Sequence, residues 1–97
     1  MRTCYIVAYD IADPKRLQRV HHTMRGYGDP LQYSVFRCML SPSERVLLIE
    51  ALTPIINHRE DQIMLINLGP ADGRAQTSFE ILGRTLPSEL DRVAVIV

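Results

Sequence analysis

The first long apolar run covers residues 3–9, Thr-Cys-Tyr-Ile-Val-Ala-Tyr, where β-branched and aromatic residues follow one another almost without a break. A run of that kind fits a strand buried on both faces, at the centre of a sheet. Asp10 ends it. Asp13-Pro14 then reads as a helix start, a carboxylate N-cap followed by proline at the first helical position. From there the period changes. Leu17, Val20, Met24 and Tyr27 recur at helical spacing and predict a buried stripe, leaving Lys15, Arg16, Arg19, His22 and Arg25 towards the outside. Gly26 and Gly28 bracket the expected end of this helix.

Residues 31–40, LQYSVFRCML, read as strand, with two alternatives open: a break near Ser34, or a further short strand near Asp29-Pro30. Ser41-Pro42-Ser43-Glu44 is a capping box with proline in the first turn. The helix it opens carries Val46, Leu48, Ile49, Leu52, Ile55 and Ile56, and Pro54 either ends or kinks it. Residues 62–68, QIMLINL, form a strand closed by Gly69-Pro70. A polar, glycine-bearing stretch follows until residues 77–82, where Phe79 and Ile81 alternate with polar neighbours. The run VAVIV closes the chain at residues 93–97.

This order of elements predicts one α+β domain over residues 1–97. The economical packing is ferredoxin-like: an antiparallel sheet with two helices on one face and an extra C-terminal strand. An uncovered edge as apolar as VAVIV invites association, so the last strand is expected to serve a dimer or larger complex.

Composition narrows the class. Ninety-seven residues with 46% hydrophobic and 23% charged side chains make an ordinary globular chain, too short for a two-domain enzyme. Cys4 and Cys38 are too few for a disulfide scaffold and sit in apolar stretches, as small buried hydrophobes do. The early Asp10 leaves no room for a signal-peptide core, and no apolar run approaches the roughly 18 residues of a membrane span. A soluble cytoplasmic protein, not a membrane one, is expected.

Net charge is zero, 11 basic against 11 acidic residues, yet the charge is unevenly spread. From Pro14 to Arg37 the chain carries Lys15, Arg16, Arg19, Arg25 and Arg37 against one acid, Asp29. Arginine suits bidentate phosphate contacts, so a local positive face towards phosphate is one reading and a plain solvated face the other. Asp10, just past a strand end, is placed for a hard cation such as Mg²⁺, whereas Asp13 has its own explanation as an N-cap. Gln32-Tyr33-Ser34-Val35-Phe36 joins an amide, a hydroxyl and aromatics next to arginines, the means to touch a nucleic-acid backbone and stack on bases. His21 and His22 are adjacent and diverge around the helix, so they are not a metal pair. There is no HExxH, Cys-x-x-Cys, G-x-S-x-G or phosphate-loop pattern.

Tyr9-Asp10-Ile11, Asp13 with its arginine-bearing helix, Tyr27-Gly28 and Gln32-Tyr33-Ser34-Val35-Phe36 together resemble the CRISPR-associated protein two family, the small subunit of the spacer-acquisition machinery. The resemblance is carried by residues 3–40 and agrees with the rest in length and element order. It implies a ferredoxin-like homodimer with exchanged C-terminal strands, bound to the CRISPR integrase and supporting the duplex that becomes a spacer. It also implies Mg²⁺-dependent endonuclease activity on single-stranded RNA or duplex DNA. In that picture Asp10 and its dimer mate hold the metal, and Tyr9, Arg19, Ser34 and Phe36 lie near it. The family often has a basic residue at the position of Pro30 and an arginine at that of Leu17, for which Arg16 is the substitute.

Three functions therefore compete. The first is a CRISPR adaptation subunit with nuclease chemistry centred on Asp10 and Tyr9, and with Arg16, Arg19, Ser34 and Phe36 on the nucleic acid. The second is the same dimer as a non-catalytic scaffold for integrase and DNA, since one carboxylate per subunit is a poor cage for a catalytic ion. The third is an unrelated ferredoxin-like regulatory domain for a small molecule.

Overall fold

A computed structural model describes residues 1–73, 79–84 and 95–96. The elements run β1 (Thr3–Asp10), α1 (Pro14–Arg25), β2 (Asp29–Gln32), β3 (Val35–Leu40), α2 (Pro42–Leu52), β4 (Gln62–Pro70), β5 (Glu80–Ile81) and β6 (Val95–Ile96). The first four strands form one sheet in the order β2-β3-β1-β4, every neighbouring pair antiparallel. With one helix after β1 and one after β3, this is the ferredoxin-like arrangement. Both alternatives for residues 31–40 are realised at once: a strand begins at Asp29, and the chain turns at residues 33–34. β5 and β6 pair in parallel as a separate small sheet, so the extra C-terminal strand joins β5 and not the main sheet. Of the 77–82 and 93–97 runs, residues 77–78, 93–94 and 97 lie outside the described residues.

Local chemistry sets the helix limits. The Asp13 carboxylate accepts from the Arg16 backbone N–H at 2.9 Å, satisfying one of the donors left open in a first turn. At α2 the Ser41 hydroxyl accepts from the Glu44 N–H at 3.2 Å, and the Glu44 carboxylate accepts from the Ser41 N–H at 2.8 Å. α2 stops at Leu52 with Thr53 as its cap, so Pro54 follows the helix and does not kink it. Among the described residues no helix is long and apolar enough to cross a membrane.

Side-chain alternation along β1 then divides the molecule. Val7 and Tyr9 point to the helices and, with Val20, Met24, Phe36, Cys38, Leu40, Leu48 and Leu52, form the buried core. Gly28 lets the α1–β2 connection lie against this layer. A Cβ there would collide with the Arg37 carbonyl oxygen and come within 2.6 Å of Cys38 Sγ. The opposite, helix-free face carries Ile6 and Ala8 beside Ile66 and Met64, their register partners on β4. Met64 and Ile66 are 48% and 40% exposed there, which is high for large apolar side chains on a sheet.

Candidate metal and nucleic-acid site at the end of the central strand

Asp10 is the last residue of β1, paired in register with Gln62, and its side chain is exposed. Because Tyr9 faces the core, Asp10 lies on the same sheet face as Ile6 and Ala8. Its carboxylate has no hydrogen-bond or ion-pair partner among the described residues. A free carboxylate fits the demand of Mg²⁺ for hard oxygen ligands, of which this ion often takes one or two from protein and the rest from water. Asp13 adds nothing, because its carboxylate is occupied by the helix cap. Among the described residues no three His, Cys, Asp or Glu side chains are grouped to hold a metal.

Tyr9, expected beside Asp10 in the chemistry, points the other way. It is 6% exposed, and its hydroxyl donates to the Tyr33 carbonyl at 3.1 Å and lies 3.0 Å from His21 Nδ1. Burial, with a smaller contribution from the nearby Tyr33 phenol, pushes its pKa up to about 12, so it stays protonated. The structure thus places Tyr9 away from Asp10, not beside it as expected: its hydroxyl fastens the strand end to the 33–34 turn and to α1. Ser34 does come near Asp10 along the chain, because its carbonyl accepts from the Tyr9 N–H at 3.0 Å, continuing the β1–β3 ladder to the end of the sheet.

Phe36 corrects a second expectation. It is fully buried, opposite Val7 in register, stacked near Tyr9 (6.2 Å, 26°) and edge-on to His21 (5.3 Å, 71°). No face of the ring is open to a base. The signal for this was already in the sequence, since Phe36 shares its strand parity with Cys38 and Leu40.

Arg16 is the third. Its guanidinium donates to both Asp61 oxygens at 2.8 and 3.1 Å and to Glu60 at 3.1 Å, so two carboxylates occupy the fork expected to meet phosphate. Arg19 and Lys15 are exposed on the same helix, without partners among the described residues. Sequence reasoning missed Asp61 altogether, for nothing local marks a loop carboxylate as the partner of a helix 45 residues away.

Asp61 is a hub. Its side chain is fully enclosed and also accepts from the Ala12 and Asn57 N–H groups at 2.9 and 2.8 Å. The Arg16 guanidinium, helped by those two N–H groups, holds its carboxyl far below the usual carboxylate range. A carboxyl depressed on folding contributes stability that is whole above its unfolded pKa, about 3.9, and is lost as pH falls through the folded value. Thermal melts of the wild type should therefore be flat down to about pH 5 and fall progressively below it. Asp61→Asn should melt several degrees lower at neutral pH and show a shallower acid limb. Some slope survives in that variant, because Glu44, held at about 2 by Arg2, titrates in the same window.

An antiparallel four-stranded sheet with two helices on one face, and an exposed carboxylate at the end of its central strand, defines a small α+β protein. The chain belongs to the family described as CRISPR associated protein Cas2, whose family model matches residues 3–76. A relative from Rhodospirillum rubrum, named CRISPR-associated endoribonuclease Cas2 1, is 41% identical over 93 residues, covering 96% of this chain and 89% of that one. The CRISPR-associated endoribonuclease Cas2 of Geobacter sulfurreducens is 39% identical over 97 residues, the full length of both. Crystalline Cas2 of Streptococcus pyogenes superposes with a TM-score of 0.64 and 37% identity, covering 68% of this chain and 86% of that chain.

Proposed function

We propose that this chain is an endonuclease subunit of a CRISPR adaptation system, a homodimer that hydrolyses phosphodiesters of single-stranded RNA or duplex DNA with Mg²⁺ at Asp10. The observation that carries this reading is the free, exposed carboxylate at the end of a sheet face that also presents the apolar side chains of Ile6, Ala8, Met64 and Ile66. Two copies packed through Ile6, Ala8, Met64 and Ile66 bring both Asp10 residues to one interface and turn two half-sites into one. When bound, the ion supplies Lewis acidity for the phosphodiester and acidifies a water. The protein's part is to hold the carboxylates on rigid strand ends, while Arg19 and Lys15 draw in the phosphate chain. The names of the relatives, endoribonucleases of similar length, support this activity.

The second reading keeps the dimer, the nucleic acid and a CRISPR integrase partner but removes the chemistry, leaving a charged scaffold for spacer-precursor duplex. It draws on the lone carboxylate of each protomer. Labelled single-stranded RNA and duplex DNA, incubated with the protein in Mg²⁺ or in chelator, separate the two. Cutting that requires Mg²⁺ supports the nuclease, and binding without cutting supports the scaffold.

The apolar face makes its own prediction. Ile66→Asp, a change at a half-exposed strand position, converts the dimer to a monomer in light scattering and abolishes metal-dependent cutting together with it. A monomeric variant that still cuts at the wild-type rate would show that no carboxylate pair is needed.

A further inference from the structure

We propose that the hollow between α1 and the turn at residues 33–34 receives an unpaired nucleobase, with the adjoining phosphate on Arg25. This rests on the nucleic-acid-binding reading above and assigns it a second contact region, on the helix side of the sheet and away from the face that carries Asp10.

The hollow measures about 420 Å³ and is lined by Leu17, Gln18, His21, His22, Arg25 and Tyr33. That lies within the range of small-ligand sites, roughly 300–1,000 Å³. Tyr33 is the unusual member. Its ring is 76% exposed, yet it is not loose: the Tyr9 hydroxyl holds its carbonyl, and the ring leans on His21 at 5.5 Å and 44°. An aromatic side chain so exposed and so held presents a ready stacking surface.

The hydrogen-bond network bears on what His21 offers. Where the Tyr9 hydroxyl gives its one proton to the Tyr33 carbonyl, it accepts at 3.0 Å from His21 Nδ1–H. In the neutral ring Nε2 is then a bare acceptor, without a partner among the described residues. Beside it, the Gln18 amide carries both a donor and an acceptor. An acceptor next to a donor–acceptor amide, under a stacking ring, matches the edge and face of a base. Leu17 supplies apolar contact below. No acid lines the hollow, and Arg25 and His22 are exposed at its rim, where the charge of a phosphate would fall.

A second hollow of about 300 Å³ lies across the ridge made by Gln18 and His22, bordered by Arg19 and Thr23. A single strand crossing α1 would pass from one to the other. Duplex bases are stacked on both faces and cannot enter, so the pocket selects single strands, whether RNA or DNA.

The chain contains no tryptophan, so Tyr33→Trp places a sole indole at the pocket. Single-stranded RNA and DNA oligonucleotides should quench it saturably, and a duplex of the same sequence should not. By fluorescence anisotropy Tyr33→Ala should bind single strands about 5- to 150-fold more weakly, as loss of one base stack does. Its salt dependence should match the wild type, whereas Arg25→Ala should lower the log–log slope by about 0.7. Both side chains are exposed and the Tyr33 carbonyl remains in the variant, so the fold is kept. Single-strand affinity unchanged in Tyr33→Ala, or binding that leaves the indole unquenched, overturns the pocket and leaves the functional reading standing. A wild type that binds no oligonucleotide at all overturns both.

Discussion

Asp10→Asn should lower Mg²⁺-dependent cleavage by at least about 100-fold, the equivalent of ~2.7 kcal/mol of transition-state stabilisation, without changing the melting temperature. The substitution keeps shape and removes charge, and Mg²⁺ discriminates strongly between a carboxylate and an amide. Its structural effect is small because the Asp10 side chain is exposed and bonds to nothing among the described residues, while its backbone stays paired with Gln62. Surface changes of this kind stay within about 0.5 kcal/mol. A mixing experiment tests the half-site argument directly. Equal amounts of wild type and variant, allowed to exchange subunits, yield about one quarter wild-type dimers. If one ion needs both carboxylates, residual activity is about a quarter of the wild type; if each protomer acts alone, it is about half. Cleavage that survives in Asp10→Asn would remove the metal from this position, whereas a wild type that binds without cutting would return the protein to the scaffold reading.

The elements that local chemistry determines were legible from the sequence. Asp13-Pro14 and the Ser41–Glu44 capping box mark two helix starts that the structure reproduces, and the unbroken apolar run of β1 places it at the centre of the sheet. The exposed place of Asp10 at the end of this strand was legible too, because a carboxylate ending such a run has no role in the core. The residues that lie elsewhere than expected share a cause. Tyr9 and Phe36 were placed by the family resemblance and Arg16 as the substitute for an arginine at Leu17, but one residue along a strand reverses the face, and a helix arginine reaches whatever the tertiary fold brings to it. Tyr9 and Phe36 have the parity of the core, and Arg16 finds Asp61 across 45 residues. The tautomer of His21 depends on a carbonyl twelve residues further along, which no pattern of residue types announces.

Phe36 provides the sharpest test of that distinction. Phe36→Ala should cost about 3–5 kcal/mol, the usual consequence of emptying a fully buried phenylalanine site. A domain of this size has about 5–15 kcal/mol in total, so the melting temperature should fall by more than about 10 °C. The loss reaches beyond the cavity. Phe36 supports the Tyr9 ring at 6.2 Å and the His21 ring at 5.3 Å, and those two side chains hold the 33–34 turn. Loss of activity in Phe36→Ala therefore says nothing of base stacking, since unfolding accounts for it. Phe36→Leu is the informative variant: it retains most of the apolar volume, lowers the melting temperature less, and removes the aromatic face. Because that face is covered on all sides, oligonucleotide affinity measured well below the melting temperature should equal that of the wild type. Weakened binding in folded Phe36→Leu would mean that the ring contributes to binding, through the His21 ring it packs against or by leaving the core to meet a base.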